Sequence, residues 1–187
     1  QLACHPALVD PTYEGTSAKL EELRQRLDQL RSEGHRALVF SQFTSLLDLV
    51  RPVLEGDGIR TLQLDGRTPG RKRRSLVEAF QAGEADAFLL SIKAGGTGLN
   101  LTAASYVFHL DPWWNPAVED QATDRAHRIG QQRRVTVYRL VARETVEGSI
   151  YAMHDEKRAL TDALLSGANK AGPMAVEELE ALLMAGA

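Results

Sequence analysis

Five short segments of this sequence hold residues whose types and spacing could do chemistry. Lys93 leads into Gly95-Gly96-Thr97-Gly98, where missing side chains let a backbone approach closely and leave amide N–H groups free for phosphate oxygens. The loop matches neither the dinucleotide fingerprint nor the P-loop pattern, and a tight turn accounts for it equally well. Gln121, Arg125 and Arg128 follow an Asn115-Pro116 helix start. On a helix reaching Arg128 they would lie within about 60° of one another, beside a stripe of Val118, Ala122, Ala126 and Ile129. Guanidinium pairs suit phosphate, while surface ion pairs with Asp120 and Asp124 are the plainer alternative. Trp113 and Trp114 are adjacent, so in an extended segment one packs and the other meets a partner by stacking or wedging. Ser41-Gln42-Phe43 and Asp65-Gly66-Arg67-Thr68 complete the set.

These segments need elements to position them. Leu20, Leu23, Leu27 and Leu30 recur at helical spacing after Thr16-Ser17, and Gly34 closes that helix. Phe43, Leu46, Leu47 and Val50 mark a second helix. Thr68 as N-cap with Pro69 at the first helical position predicts a third, with Leu76, Val77 and Phe80 inward. Asn115-Pro116 repeats that signal and predicts a helix to about Arg128. Strand-length apolar runs cover 36–41, 59–64, 87–91, 106–110 and 135–141, and helical patterns return at 145–165 and 175–184. Strands that alternate with helices and are nearly continuous in apolar residues predict an α/β fold, a parallel sheet with helices on both faces. In such a sheet ligands bind beyond the carboxyl ends of the strands, and Ser41–Phe43, Asp65–Thr68, Lys93–Asn100 and Asp111–Pro116 directly follow a strand.

At 187 residues, 43% apolar and 25% charged, the chain fits one globular core with a small appendage. No run of residues approaches a membrane span, and the N-terminus lacks signal-peptide zones, so a soluble intracellular protein is expected. Cys4 is the single cysteine, which excludes an internal disulfide and makes a structural role the expectation; no metal site is expected in the chain. The net charge of −3 is uneven, since eight acids and three bases fall in 144–187. Two basic groups stand out, Arg60, Arg67, Arg71, Lys72, Arg73 and Arg74, then Arg125, Arg128, Arg133, Arg134, Arg139 and Arg143. A solvated helix face and a nucleic-acid surface both fit them. Arg67 and Arg71, near a helix N-terminus, could hold a backbone phosphate. The linker-like Ser166–Pro173 separates a last short helix.

In order and spacing, Ala37–Phe43, Leu64–Thr68, Ser91–Thr102 and Asp111–Gln131 closely resemble the C-terminal helicase motifs of SWI/SNF-type ATPases of helicase superfamily two. Cys4-His5-Pro6 and Tyr138–Glu147 resemble the segments flanking those motifs. The wording looks more like bacterial than eukaryotic members. The resemblance implies a RecA-like second lobe over 16–143, a joining segment at 1–15 and a helical extension at 144–187. A first lobe of the same polypeptide would hold ATP and magnesium. Gln121, Arg125 and Arg128 would be catalytic, both arginines approaching the γ-phosphate, with Gly98 and Asp124 near the ATP. Lys93, Gly95, Gly96 and Thr97, Ser41 with Gln42, and Trp114 with Asn115 would contact double-stranded DNA.

The function implied is that of half an ATP-driven translocase on duplex DNA. Lacking a P-loop, and with His154-Asp155-Glu156 in a helical pattern rather than on a strand, the chain should not hydrolyse ATP alone. A non-catalytic nucleic-acid or protein binding module with the same fold is the alternative, and an RNA helicase lobe fits the Trp-Trp-Asn-Pro wording less well. A start at Gln1, inside an apparent helix and without an initiator methionine, suggests an excised piece. A bacterial protein would work at the nucleoid with RNA polymerase or repair proteins, a eukaryotic one in the nucleus.

Overall fold

The computed structural model describes residues 1–95, 98–113, 115–128, 130–131 and 133–154. Two compact units divide the chain at Gly148, and only 149–154 of the second are described, all helical. The helical patterns expected beyond His154, and the linker at 166–173, lie outside the described residues. Among described residues no helix is long and apolar enough to cross a membrane.

The first unit opens with turns and a 3-10 helix at Pro6–Leu8, so Gln1 does not lie in a helix as its sequence suggested. Five helices and five strands then alternate: α1 Ala18–Ser32, β1 Ala37–Ser41, α2 Thr44–Gly56, β2 Thr61–Leu64, α3 Gly70–Ala82, β3 Ala87–Ser91, the single turn α4 Ile92–Gly95, β4 Tyr106–His109, α5 Pro116–Thr123 and β5 Thr136–Arg139. All strand pairs are parallel, in the order β2-β3-β1-β4-β5.

Alternation along each strand builds two cores. Ala37, Val39, Ala87, Leu89 and Phe108 face Leu23, Leu27, Leu47, Val50 and Leu54 of α1 and α2. Leu38, Phe40, Phe88, Leu90 and Val107 face Phe80 of α3 and Ala122 of α5. Both faces are therefore covered, and β1 and β3 are buried throughout, as continuous apolar runs require. β1 passes into α2 on one face, whereas its neighbours β3 and β4 pass toward the other, so their carboxyl ends diverge at a crevice.

Local chemistry sets the helix ends. Ser17 caps α1 by accepting from Leu20 N–H at 3.3 Å, and Asn115 caps α5 by accepting from Ala117 N–H at 3.1 Å ahead of Pro116. Two expectations need correcting. Thr68 does not cap α3: its hydroxyl accepts from Asp65 N–H at 3.0 Å inside the preceding turn, and Pro69 becomes the uncapped N-cap. α5 ends at Thr123 rather than near Arg128, because Ala126 N–H tightens onto Thr123 O at 3.0 Å and the Arg125 carbonyl is taken by Leu101 N–H at 3.0 Å. Gln121, Arg125 and Arg128 consequently do not share a helix face.

His109, at the end of β4, is fully buried, stacks on Phe40 at 5.5 Å and shares a hydrogen bond with Thr123 Oγ1. Burial lowers its pKa from 6.5 to about 4. A histidine kept neutral by the fold binds its proton on unfolding, so its contribution is whole above pH 6.5 and is lost as pH falls toward 4. Wild type should lose up to about 3 kcal/mol more than His109→Gln between pH 7 and 4, read from urea unfolding. Phe88, fully buried against Phe80 at 5.2 Å, gives a test of the second core: Phe88→Ala should lower unfolding free energy by about 3–5 kcal/mol.

Candidate functional site

At the crevice, Asp111 follows β4 and is 1% exposed. Its Oδ1 accepts from Ser41 Oγ–H at 2.5 Å and its Oδ2 from Gln42 N–H at 3.0 Å, while Gln42 Nε2 donates to Pro112 O at 2.9 Å. Burial pushes the Asp111 carboxyl upward, and these donors with nearby Lys19 oppose the shift. Ser41 and Gln42, expected at DNA, are thus engaged in joining β1 to the segment after β4.

Lys19 extends this network, donating to Leu110 O at 2.7 Å and pairing with Glu147 at 2.5 Å, both side chains nearly enclosed. Glu147 also accepts from Cys4 Sγ at 3.3 Å and Ala142 N–H at 2.9 Å. Burial raises the Cys4 thiol to about 12, in keeping with a structural residue. The sequence reading passed over Asp111, Lys19 and Glu147 as site-building residues. Lys19 carried a signal, since it lies four residues before Leu23 and so shares the inward face of α1. Glu119 is similar: fully buried on α5, it accepts from Trp113 N–H at 2.9 Å and from Arg139 at 3.0 Å.

Most of the first basic group is engaged within the fold. Arg67 forks onto Asp48 at 2.8 and 2.9 Å and also pairs with Asp65, so its donors are taken, and Arg60 pairs with Asp86 and Arg74 with Glu78. Arg71 is exposed. Ion pairs within the fold therefore account for much of this group, which was expected either as a solvated helix face or as a nucleic-acid surface.

Lys93 is exposed on α4, which ends at Gly95; Gly98 is exposed with φ 67°, a left-handed backbone that glycine adopts without strain. Gly96, Thr97 and Trp114 lie outside the described residues. Trp113 is half-buried against the second core. Asn115 uses its side-chain oxygen as the α5 cap, and Gln121 and Asp124 are exposed.

The two arginines differ sharply. Arg125 is 6% exposed, and its Nε has no hydrogen-bond partner among the described residues. Burial and then the neighbouring Arg128 charge lower its pKa. Arg128 is exposed and donates through Nη1 to Gly98 O at 2.7 Å, locking the arginine turn to the glycine loop. Neither forms an ion pair among the described residues, so the expected alternative of bridges to Asp120 and Asp124 is absent there. The arrangement is a pair of adjacent guanidinium groups, one of them buried with no ion pair among the described residues though Asp124 lies near it, beside a loop at the carboxyl edge of a parallel sheet.

Known proteins are similar to this chain in sequence and in fold. The family described as "Helicase conserved C-terminal domain" matches residues 18–130. A Bacillus subtilis protein, "Putative ATP-dependent helicase/translocase YwqA", is 40% identical over 97% of this chain and 20% of its own length. "DNA repair protein RAD5" of Cryptococcus neoformans is 46% identical over 83% of this chain and 13% of its own. A solved structure, "Crystal structure of the C-terminal part of Fun30 ATPase domain", superposes with a TM-score of 0.70 at 36% identity, over 73% of this chain and 45% of that one. The chain thus spans about a fifth or less of these two full-length relatives. It belongs to the helicase conserved C-terminal domain family, as a RecA-like second lobe of the SWI/SNF type of ATPase.

Proposed function

We propose that this chain is the second lobe of an ATP-dependent translocase on double-stranded DNA and supplies the arginines that complete an ATP site. The observation that carries this reading is Arg125, a cation 6% exposed with an unpartnered Nε and Arg128 beside it. Burial and Arg128 lower the Arg125 pKa despite the nearby Asp124 carboxylate, and the cost of enclosing a cation without an ion pair persists where function needs the charge. An incoming phosphate would remove it. The end of a triphosphate fits this donor set, because planar guanidinium groups meet phosphate oxygens with paired N–H bonds.

ATP supplies the transferable phosphoryl group and magnesium neutralises its charge; both would be held by a first lobe carrying the P-loop. This chain's residues would act from across the cleft. Arg125 and Arg128 would stabilise charge building on the transferring group, with Gln121 and Asp124 at the rim and Gly98 carrying the loop beside them. Lys93, Gly95, Gly96, Thr97, Trp114 and Asn115 would meet DNA near the same loop, and exposed Arg71 the backbone beyond it. Ser41 and Gln42 would act there through their main chain, their side chains being bound to Asp111 and Pro112. Contacts to backbone phosphate would be independent of sequence and weaken with salt. The names of the relatives, a helicase/translocase and a DNA repair protein, support DNA as the substrate of the parent protein.

Two measurements test this. Joined to its first lobe, the protein carrying Arg125→Ala should lose about 10³-fold or more in ATP turnover and keep duplex-DNA affinity within about twofold. Collapse of DNA affinity with turnover intact would make these arginines backbone clamps and overturn the assignment. The purified chain alone should show no ATP hydrolysis above the buffer rate, and steady turnover by it would contradict the two-lobe account.

A further inference from the structure

One side chain ties the Thr102–Ala104 segment before β4 to the arginine turn, and no role assigned so far uses it. Gln131 donates through Nε2 to Thr102 O at 3.1 Å, Ala104 O at 2.8 Å and Ala126 O at 3.1 Å, its two N–H bonds shared among three carbonyls. Its Oε1 accepts from Arg133 N–H at 2.9 Å, and its own N–H donates to Arg128 O at 2.9 Å. We propose that Gln131 is a positioning residue: its carboxamide fixes the Arg125–Arg128 turn against the loop running from Gly98 to Ala104, so that both arginines meet an anion as a preset pair. The inference rests on reading those arginines as phosphate-binding.

Three features point to positioning rather than plain support. The first is connectivity, since one carboxamide reaches the segment before β4, the turn after α5 and the approach to β5. Two further ties run in parallel, Leu101 N–H to Arg125 O at 3.0 Å and Arg128 Nη1 to Gly98 O at 2.7 Å. With both ends of the loop held, neither arginine can shift without moving it. The second is the backbone that aims Gln131. Gly130 has φ 105°, outside the range of residues with a side chain, and this reversal turns Gln131 back toward Thr102.

The third is accessibility. Gln131 lines a polar cavity of about 440 Å³ together with Arg36, Gln81, Thr102 and Arg133. Water there can replace lost hydrogen bonds, so removing the carboxamide loosens the geometry without stranding buried carbonyls. Only a glutamine-length carboxamide fits the task. Glutamate would set oxygen against three carbonyl oxygens, and asparagine is one methylene short of them.

The test uses the intact two-lobe protein with Gln131→Ala, Gln131→Glu and Gln131→Asn. Each should lower kcat for DNA-stimulated ATP turnover by about 10- to 100-fold, as expected when catalytic groups move by about 1 Å. KM for ATP, duplex-DNA affinity and the thermal unfolding midpoint should stay close to wild type. Unchanged kcat would overturn the proposal. So would a parallel fall in kcat, DNA affinity and unfolding midpoint, the mark of general structural support. Arg125→Ala separates the two ideas: full turnover in that variant sinks the reading of the arginines, whereas an inactive Arg125→Ala beside a fully active Gln131→Ala sinks only the role of Gln131.

Discussion

The carboxylate of Asp111 is the constraint around which this lobe is arranged. It sits where β1 and β4 send their chains to opposite faces, a point at which an open parallel sheet would otherwise part. Buried almost completely, it persists because Ser41 and Gln42 donate to it from the end of β1. Lys19 then holds the adjoining Leu110 carbonyl and pairs with Glu147, which in turn receives Cys4. Residues near the start, middle and end of the first unit are thereby gathered at the ligand edge by a connected polar network, in which each member satisfies the next.

Against this background the treatment of arginine is selective. Arg24, Arg60 and Arg67 each meet a carboxylate in fork geometry, and Arg139 reaches the buried Glu119. The fold thus neutralises guanidinium groups in many places, in one case with a fully buried carboxylate. Arg125 is left out of that pattern while being more enclosed than any of them. Among the described residues Arg125 is thus a local departure from the rule that buried charges are paired.

How much of this was legible depended on whether it was written in local pattern or in tertiary contact. The helices and strands came through because apolar periodicity and caps such as Ser17 and Asn115 are local signals. So did the placement of the distinctive segments at the carboxyl edge of the sheet, because each follows a strand. The extent of α5 did not. Its continuation through Arg128 looked sound by propensity, but the Arg125 carbonyl goes to Leu101, a residue more than twenty positions away. Thr68 failed as a cap for a related reason, its hydroxyl being needed by Asp65. The ion pair of Arg67 with Asp48 was likewise not legible, the two lying nineteen positions apart. The carboxylate hub was invisible as such, since nothing next to Asp111 in sequence announces that Ser41 and Lys19 will surround it.

Burial of Cys4 also has a practical side. With its thiol pushed to about 12, almost none of it is thiolate at neutral pH, and its hydrogen bond to Glu147 holds the proton further in place. Alkylating dyes attack the thiolate, so the one native sulfhydryl of this chain is silent toward them. A cysteine introduced at an exposed position such as Arg71 would be labelled against a dark background without removing Cys4, leaving the Lys19 and Glu147 network intact. The lobe is in that sense already prepared for site-specific fluorescence labelling.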